Sequence, residues 1–184
     1  MDRTSVKKVS ILSFVFSVVF TVVFVSQVFA GNIANYPVAK QEQTNWCWAA
    51  SSVSILSYYG KSVSQCSFVK ATQLKTTCDN VGETVRDVQN GLAWYSIHNE
   101  YYSGSLSWTS LKAQIDTGYP IYVSWAWTSG GGHAVVIYGY SESGQYVNYM
   151  DPLDGTKIAR TYTSFVGGSS YDRTWRWGIN NIHN

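Results

Sequence analysis

The stretch QEQTNWCWAASSVSILSYYG, residues 41–60, sets a cysteine between two tryptophans at the mouth of a predicted helix. Thr44 or Asn45 can cap that helix and Gly60 can end it. Between them Ala49, Ala50, Val53, Leu56 and then Ser57 or Tyr59 recur at helical spacing. Cys47 therefore falls in the first turn, where unpaired backbone N–H groups and the helix dipole favour an anion and a thiol is eased toward thiolate. The competing reading makes Cys47 a small buried hydrophobe between core tryptophans.

Upstream of this stretch, Arg3, Lys7 and Lys8 form a basic start, ILSFVFSVVFTVVFV is an uncharged apolar run, and Val28-Phe29-Ala30 offers small residues at the usual cleavage positions. Residues 1–30 read as a signal peptide, with an uncleaved anchor as the alternative because the run is long. The protein is then expected to be secreted, without stable membrane association after cleavage. Residues 31–184 make one domain large enough for a real core.

Three of the thirteen Lys and Arg and one of the eleven Asp and Glu fall in that leader, leaving ten of each and a formally neutral domain. No basic stripe invites nucleic acid. The cysteines are Cys47, Cys66 and Cys78, an odd count for an oxidising compartment. Cys66 and Cys78 lie twelve residues apart in a polar segment, and closing that loop contributes about 3 kcal/mol. This pairing is favoured and leaves Cys47 free; the alternative bridges Cys47 to either of the others. Two spare cysteines and scattered histidines supply no metal ligand cluster, and no cofactor is expected.

Beyond the first helix, SFVKATQL, GETVRDVQNGLAWY and WTSLKAQID read as three more helices. After Pro120 the pattern turns to period two and continuous apolar runs: IYVSWAW, HAVVIYGY, QYVNYM, KIARTYTSF and WRWGI read as strands. Helices followed by an antiparallel sheet give an α+β class.

HAVVIYGY and QYVNYMD form a hairpin around Ser141–Gly144. Opposed residues then share an index sum near 285, and His133 is expected opposite residue 151 or 152, within a residue or two. Asp151 can orient its imidazole. Gly130–Gly132 precede His133 and permit a close approach of the chain. Of the other histidines, His98 is read in a loop and His183 at a frayed terminus. Trp125 and Trp127 alternate toward one face of their strand, as core or as cleft lining. By default His133 is structural and Asp151 a turn residue before Pro152. Together with Cys47, however, they supply the nucleophile, base and orienting acid of acyl transfer. Gln41 and Gln43, six and four residues before Cys47, are candidate side-chain donors to an oxyanion.

Q-x-x-x-x-W-C-W-A-A, then G-G-H-A-V-V, then Y-M-D-P, resembles the papain-like cysteine peptidases and is closest to the compact bacterial ones, including the avirulence-type effector proteases of plant pathogens. The resemblance implies a papain-like two-lobed fold. An N-terminal helical lobe carries the nucleophile helix, a C-terminal antiparallel sheet lobe carries histidine and acid, and a cleft lies between. It implies that Cys47 is the nucleophile, His133 the general base and acid, and Asp151 the orienting residue, and its six-residue spacing points to Gln41 as oxyanion donor. An endopeptidase acting on polypeptide substrates is expected, as a monomer. The alternatives are an amidase or isopeptidase using the same triad on cell-wall or other acyl substrates, and a non-catalytic Trp-rich binding domain.

Overall fold

A computed structural model of the chain describes residues 30–184. The predicted signal peptide lies outside the described residues, Ala30 excepted. Twelve elements follow in order: β1 (Ala30–Asn32), α1 (Cys47–Tyr58), α2 (Gln65–Gln73), α3 (Val85–Trp94), β2 (His98–Ser103), α4 (Trp108–Asp116), β3 (Ile121–Trp127), β4 (Gly132–Ser141), β5 (Tyr146–Asp151), β6 (Thr156–Thr161), α5 (Tyr162–Val166) and β7 (Arg173–His183). The strands form one antiparallel sheet in the order β2-β7-β3-β4-β5-β6, with β1 paired to the C-terminal end of β4 at Gly139–Ser141. Helices α1, α2 and α3 pack on one another, and α1 lies against β4. This is the α+β arrangement expected: a helical lobe opening on α1, and a sheet lobe. Among the described residues, no helix is long and apolar enough to cross a membrane.

Helix α1 is not the one-sided amphipath that its spacing suggested. Ala49, Ala50, Ser51, Ser52, Ser54, Ile55 and Leu56 are all buried, while Val53 is only half-buried. Small residues let sheet and helices close around it, and the buried hydroxyls turn back on the helix: Ser52 Oγ donates to Trp48 O (2.8 Å) and Ser54 Oγ to Ser51 O (2.7 Å). Gly60 ends it as predicted, at φ +74°. Lys61 N–H donates to Leu56 O (2.8 Å) and Gly60 N–H to Ser57 O (3.0 Å), a Schellman closure.

Four expectations need correction. The N-cap of α1 is Trp46, without a side-chain cap, rather than Thr44 or Asn45. His98 and His183 belong to β2 and β7 and face each other in the ladder, so neither the loop nor the fraying holds. Strand pairing draws part of the helical half into the sheet, as β1 and β2. KIARTYTSF is a strand only to Thr161. There Tyr162 N–H donates to Gln145 O (2.7 Å), and Thr161 Oγ1 accepts from Ser164 N–H (3.4 Å) to start the short α5.

Candidate active site

The hairpin register decides whether histidine and acid meet. Val136 pairs with Met150 and Ile137 with Tyr149, and a bulge before Gly139 shifts the remaining pairs by one. Continued outward, that register sets Asp151 opposite Val135 rather than His133. Residues two apart on a strand share a face, so His133 and Asp151 are diagonal neighbours within side-chain reach. His133 Nε2 and Asp151 Oδ1 are 2.7 Å apart, and the same oxygen accepts Leu153 N–H (3.0 Å). The sequence reading erred in register within its stated margin and still brought the right pair together.

Gly132 and its neighbours shape this mouth. A side chain at Gly132 would put its Cβ 2.6 Å from Trp125 O, so β3 and β4 close only over a glycine. Gly130 and Gly131 turn the chain at φ +93° and +78°, where other residues are strained.

Cys47 opens α1 and is the free cysteine among the three; Cys66 and Cys78 are joined. Its thiol shares the cavity wall with His133, close enough for the sulfur to raise the imidazole pKa. Nε2 is engaged by Asp151, which leaves Nδ1 as the ring nitrogen open to a proton from sulfur. Burial by itself pulls the His133 pKa down, but the hydrogen bond to Asp151 and the contact with Cys47 outweigh it and push the group up to about 9. Burial also opposes ionisation of Asp151, yet the bond and charge of His133 and the Leu153 N–H hold its carboxyl below the usual value. Each partner of the pair favours the charged form of the other.

Trp127 stacks on His133, with centroids 5.9 Å apart and planes 18° apart, and lines the cleft. Trp125, on the same strand, is core: it is buried and its Nε1–H donates to Phe165 O (3.0 Å). The two tryptophans share a strand face but divide the two roles suggested for them.

Gln41 stands in the cleft wall beside Cys47 and Gly132; Gln43 does not line the cleft. The Gln41 amide nitrogen lies 2.9 Å from Gln43 O and 3.0 Å from Thr44 O, while its Oε1 is buried without a partner. Two carbonyls require the nitrogen to face them, so donation to an oxyanion needs one of these N–H bonds to be exchanged. The Gln41 backbone N–H donates to Pro152 O (2.8 Å), tying this loop to the turn that follows Asp151.

Three neighbouring cavities share walls around Cys47. A cavity of ≈ 490 Å³ runs from Gln41 and Leu153 past Trp127 to Cys47 and His133. A narrower one of ≈ 130 Å³ continues beyond Cys47 over Tyr122, Ser124 and Glu83. Glu83 and Ser124 then open into a third of ≈ 290 Å³ bounded by Arg86, Tyr101 and Trp177. Sequence reading did not single out Glu83, Ser124 or Leu153, because nothing local marks a cleft wall assembled from both lobes.

The profile of the family described as Peptidase_C39 like family matches residues 33–177. Among solved structures, the chain is similar to the peptidase domain of Streptococcus ComA, a bi-functional ABC transporter involved in a quorum sensing pathway. Identity is 17%, coverage 78% of this chain and 96% of that one, and the TM-score 0.60. It is also similar to a double glycine motif protease from an AMS/PCAT transporter in complex with the leader peptide, at 21% identity, with 81% of this chain and 91% of that one covered and a TM-score of 0.60. At these identities the likeness is one of fold. Among curated proteins, none matches the sequence.

Proposed function

The chain belongs to the Peptidase_C39 like family and is a cysteine peptidase, and from that premise we propose a secreted endopeptidase that cuts polypeptides with Cys47, His133 and Asp151. The cavities carry this reading: they flank Cys47 on both sides, as an extended chain running through the site requires. The double glycine motif protease holds a leader peptide, and a peptide is the occupant assigned to these cavities.

The steps follow from the geometry. His133 Nδ1 takes the thiol proton, and the imidazolium is stabilised by Asp151 through Nε2. The thiolate attacks the peptide carbonyl carbon. Cys47 is the first residue of α1, so its N–H has no intrahelical acceptor and can meet the developing oxyanion. Gln41 Nε2 is the second donor, once it releases a loop carbonyl. The C–N bond breaks as the amine nitrogen takes the proton from His133. Water then gives a proton to His133, attacks the thioester and displaces the thiolate.

Secretion rests on the leader-like residues 1–30, and kinship with avirulence-type effector proteases rests on the shared motifs alone. The test is incubation of wild-type and Cys47→Ala protein with a diverse peptide library, read by mass spectrometry. Internal cleavage by wild type alone supports the proposal. Cleavage by Cys47→Ala sinks the mechanism, and release of single terminal residues sinks the endopeptidase assignment.

A further inference from the structure

The loop from Lys40 to Trp48 carries both Gln41 and Cys47, and its own bonds are few. They are the two from Gln41 Nε2 and one from Trp46 N–H to Gln43 O (3.1 Å). Besides the bond from Gln41 N–H to Pro152 O (2.8 Å), the loop is held from two places outside it. Gln65, the first residue of α2, is 4% exposed. Its Nε2 donates to Lys40 O (2.7 Å) and its Oε1 accepts Glu42 N–H (3.0 Å), so one buried amide grips the backbone on either side of Gln41.

The second place is the segment 79–81. Asn80 Oδ1 accepts Asn45 N–H (2.9 Å), its Nδ2 donates to Thr44 Oγ1 (2.9 Å), and its carbonyl accepts Asn45 Nδ2–H (3.0 Å). On either side of Asn80, Asp79 O accepts Trp46 Nε1–H (2.9 Å) and Val81 O accepts Trp48 Nε1–H (3.0 Å). Both residues flanking the nucleophile are thus pinned through their indoles.

The two grips are joined covalently. Cys66 follows Gln65, Cys78 precedes Asn80 by two, and the pair is bridged with Cα atoms 5.2 Å apart. We propose that Gln65 and Asn80, coupled through the Cys66–Cys78 disulfide, are positioning residues that set the separation of oxyanion donor and nucleophile. The inference rests on the roles given above to Gln41 and Cys47. It makes the disulfide part of the catalytic geometry rather than a staple for stability alone.

The two grips act on different groups, and this separates positioning from simple destabilisation. Gln65 holds the flanks of Gln41, which acts only on the oxyanion. Asn80 holds the turn into Cys47, which acts on the thiolate and its approach to His133. A misplacement of about 1 Å costs on the order of a hundredfold in rate.

The test uses four full-length variants at temperatures where near-UV circular dichroism reports native packing. Gln65→Met keeps the volume and loses both bonds; kcat falls about tenfold or more, KM stays within about twofold, and the rate of Cys47 alkylation by iodoacetamide is unchanged. Asn80→Ala lowers both kcat and alkylation and alters the pH profile of alkylation. Asn80→Asp restores them, because a carboxylate accepts Asn45 N–H and Thr44 can donate to its other oxygen. The double variant Cys66→Ala/Cys78→Ala lowers kcat with KM little changed. Wild-type kcat in folded Gln65→Met and Asn80→Ala overturns the proposal, as does failure of Asn80→Asp to recover what Asn80→Ala loses. Alkylation reads Cys47 without any peptide, so the Asn80 comparison stands or falls apart from the peptidase reading.

Discussion

Replacing Asp151 by asparagine removes a charge and leaves the geometry. The amide oxygen can accept the His133 Nε2–H and the Leu153 N–H that Asp151 Oδ1 accepts now, at 2.7 and 3.0 Å. What goes is the carboxylate that, with Cys47, lifts His133 to about 9 from an ordinary value of 6.5 against the opposing effect of burial. That interval corresponds to about 3 kcal/mol in favour of imidazolium. If Asp151 supplies most of it, the imidazolium fraction at pH 8 drops from about nine-tenths to a few hundredths, a loss of roughly thirtyfold in the ion-paired nucleophile. At pH 6 both proteins hold a mostly protonated His133, and the loss shrinks to less than about twofold. The assay is the second-order rate of Cys47 alkylation from pH 5 to 10, together with kcat/KM for a cleaved peptide. The alkaline limb of both profiles is expected near 9 in wild type and well below it in Asp151→Asn. An equal loss at every pH would mean that the carboxylate works by placement alone, and an unmoved limb would remove Asp151 from the triad.

Stability carries the same signature. His133 has a raised folded value, so the bond to Asp151 stabilises fully below 6.5 and is lost as pH rises through about 9; Asp151 has a lowered value, so its share is lost as pH falls through that value. The Tm difference between wild type and Asp151→Asn is expected to be widest between the carboxylate range and 6.5 and to vanish above about 9; a difference that persists at pH 10 contradicts the ion pair. Cys47→Ala should fold normally, since alanine suits a helix start packed this closely, and should lose all turnover; any residual cleavage above background is evidence of another nucleophile. Gln41→Ala should lower kcat by about two orders of magnitude while alkylation of Cys47 stays fast, because an oxyanion donor acts only as charge develops. Gln43→Ala should change little, as its contribution to Gln41 is a main-chain carbonyl that alanine retains; a large kcat loss there would exchange the two roles.

Where a local device specifies an element, the sequence was read to the residue. WTSLKAQID is α4 and IYVSWAW is β3, end to end. Ser107 caps the first with its side chain and the second is a run of apolar and β-forming residues. HNEYYS has no such device. It becomes β2 because β7 lies alongside, and that pairing is a tertiary fact. The meeting of Cys47, His133 and Asp151 was legible for the same reason as α4: chemistry-bearing residues stood at the mouths of elements whose ends were marked by glycine or by a hairpin turn. Gln65 and Asn80 carried no mark. Their partners are backbone groups and an uncapped turn 23 to 36 residues away in sequence, and the grip exists only once α2 is folded onto the nucleophile loop.

The flanking tryptophans follow from the same physics. A serine or asparagine at position 46 would cap α1 in the ordinary way, by accepting the N–H of residue 48 or 49. Those are among the free donors that make a helix start electropositive, and Cys47 sits beside them. A cap would stabilise the helix by about 1 kcal/mol and occupy a donor that could otherwise meet a developing oxyanion. Trp46 cannot cap. It secures the turn from outside, by burying a large ring and donating its indole N–H to Asp79, and Trp48 does the same toward Val81. The turn into Cys47 is thereby fixed without spending the donors that the proposed chemistry uses.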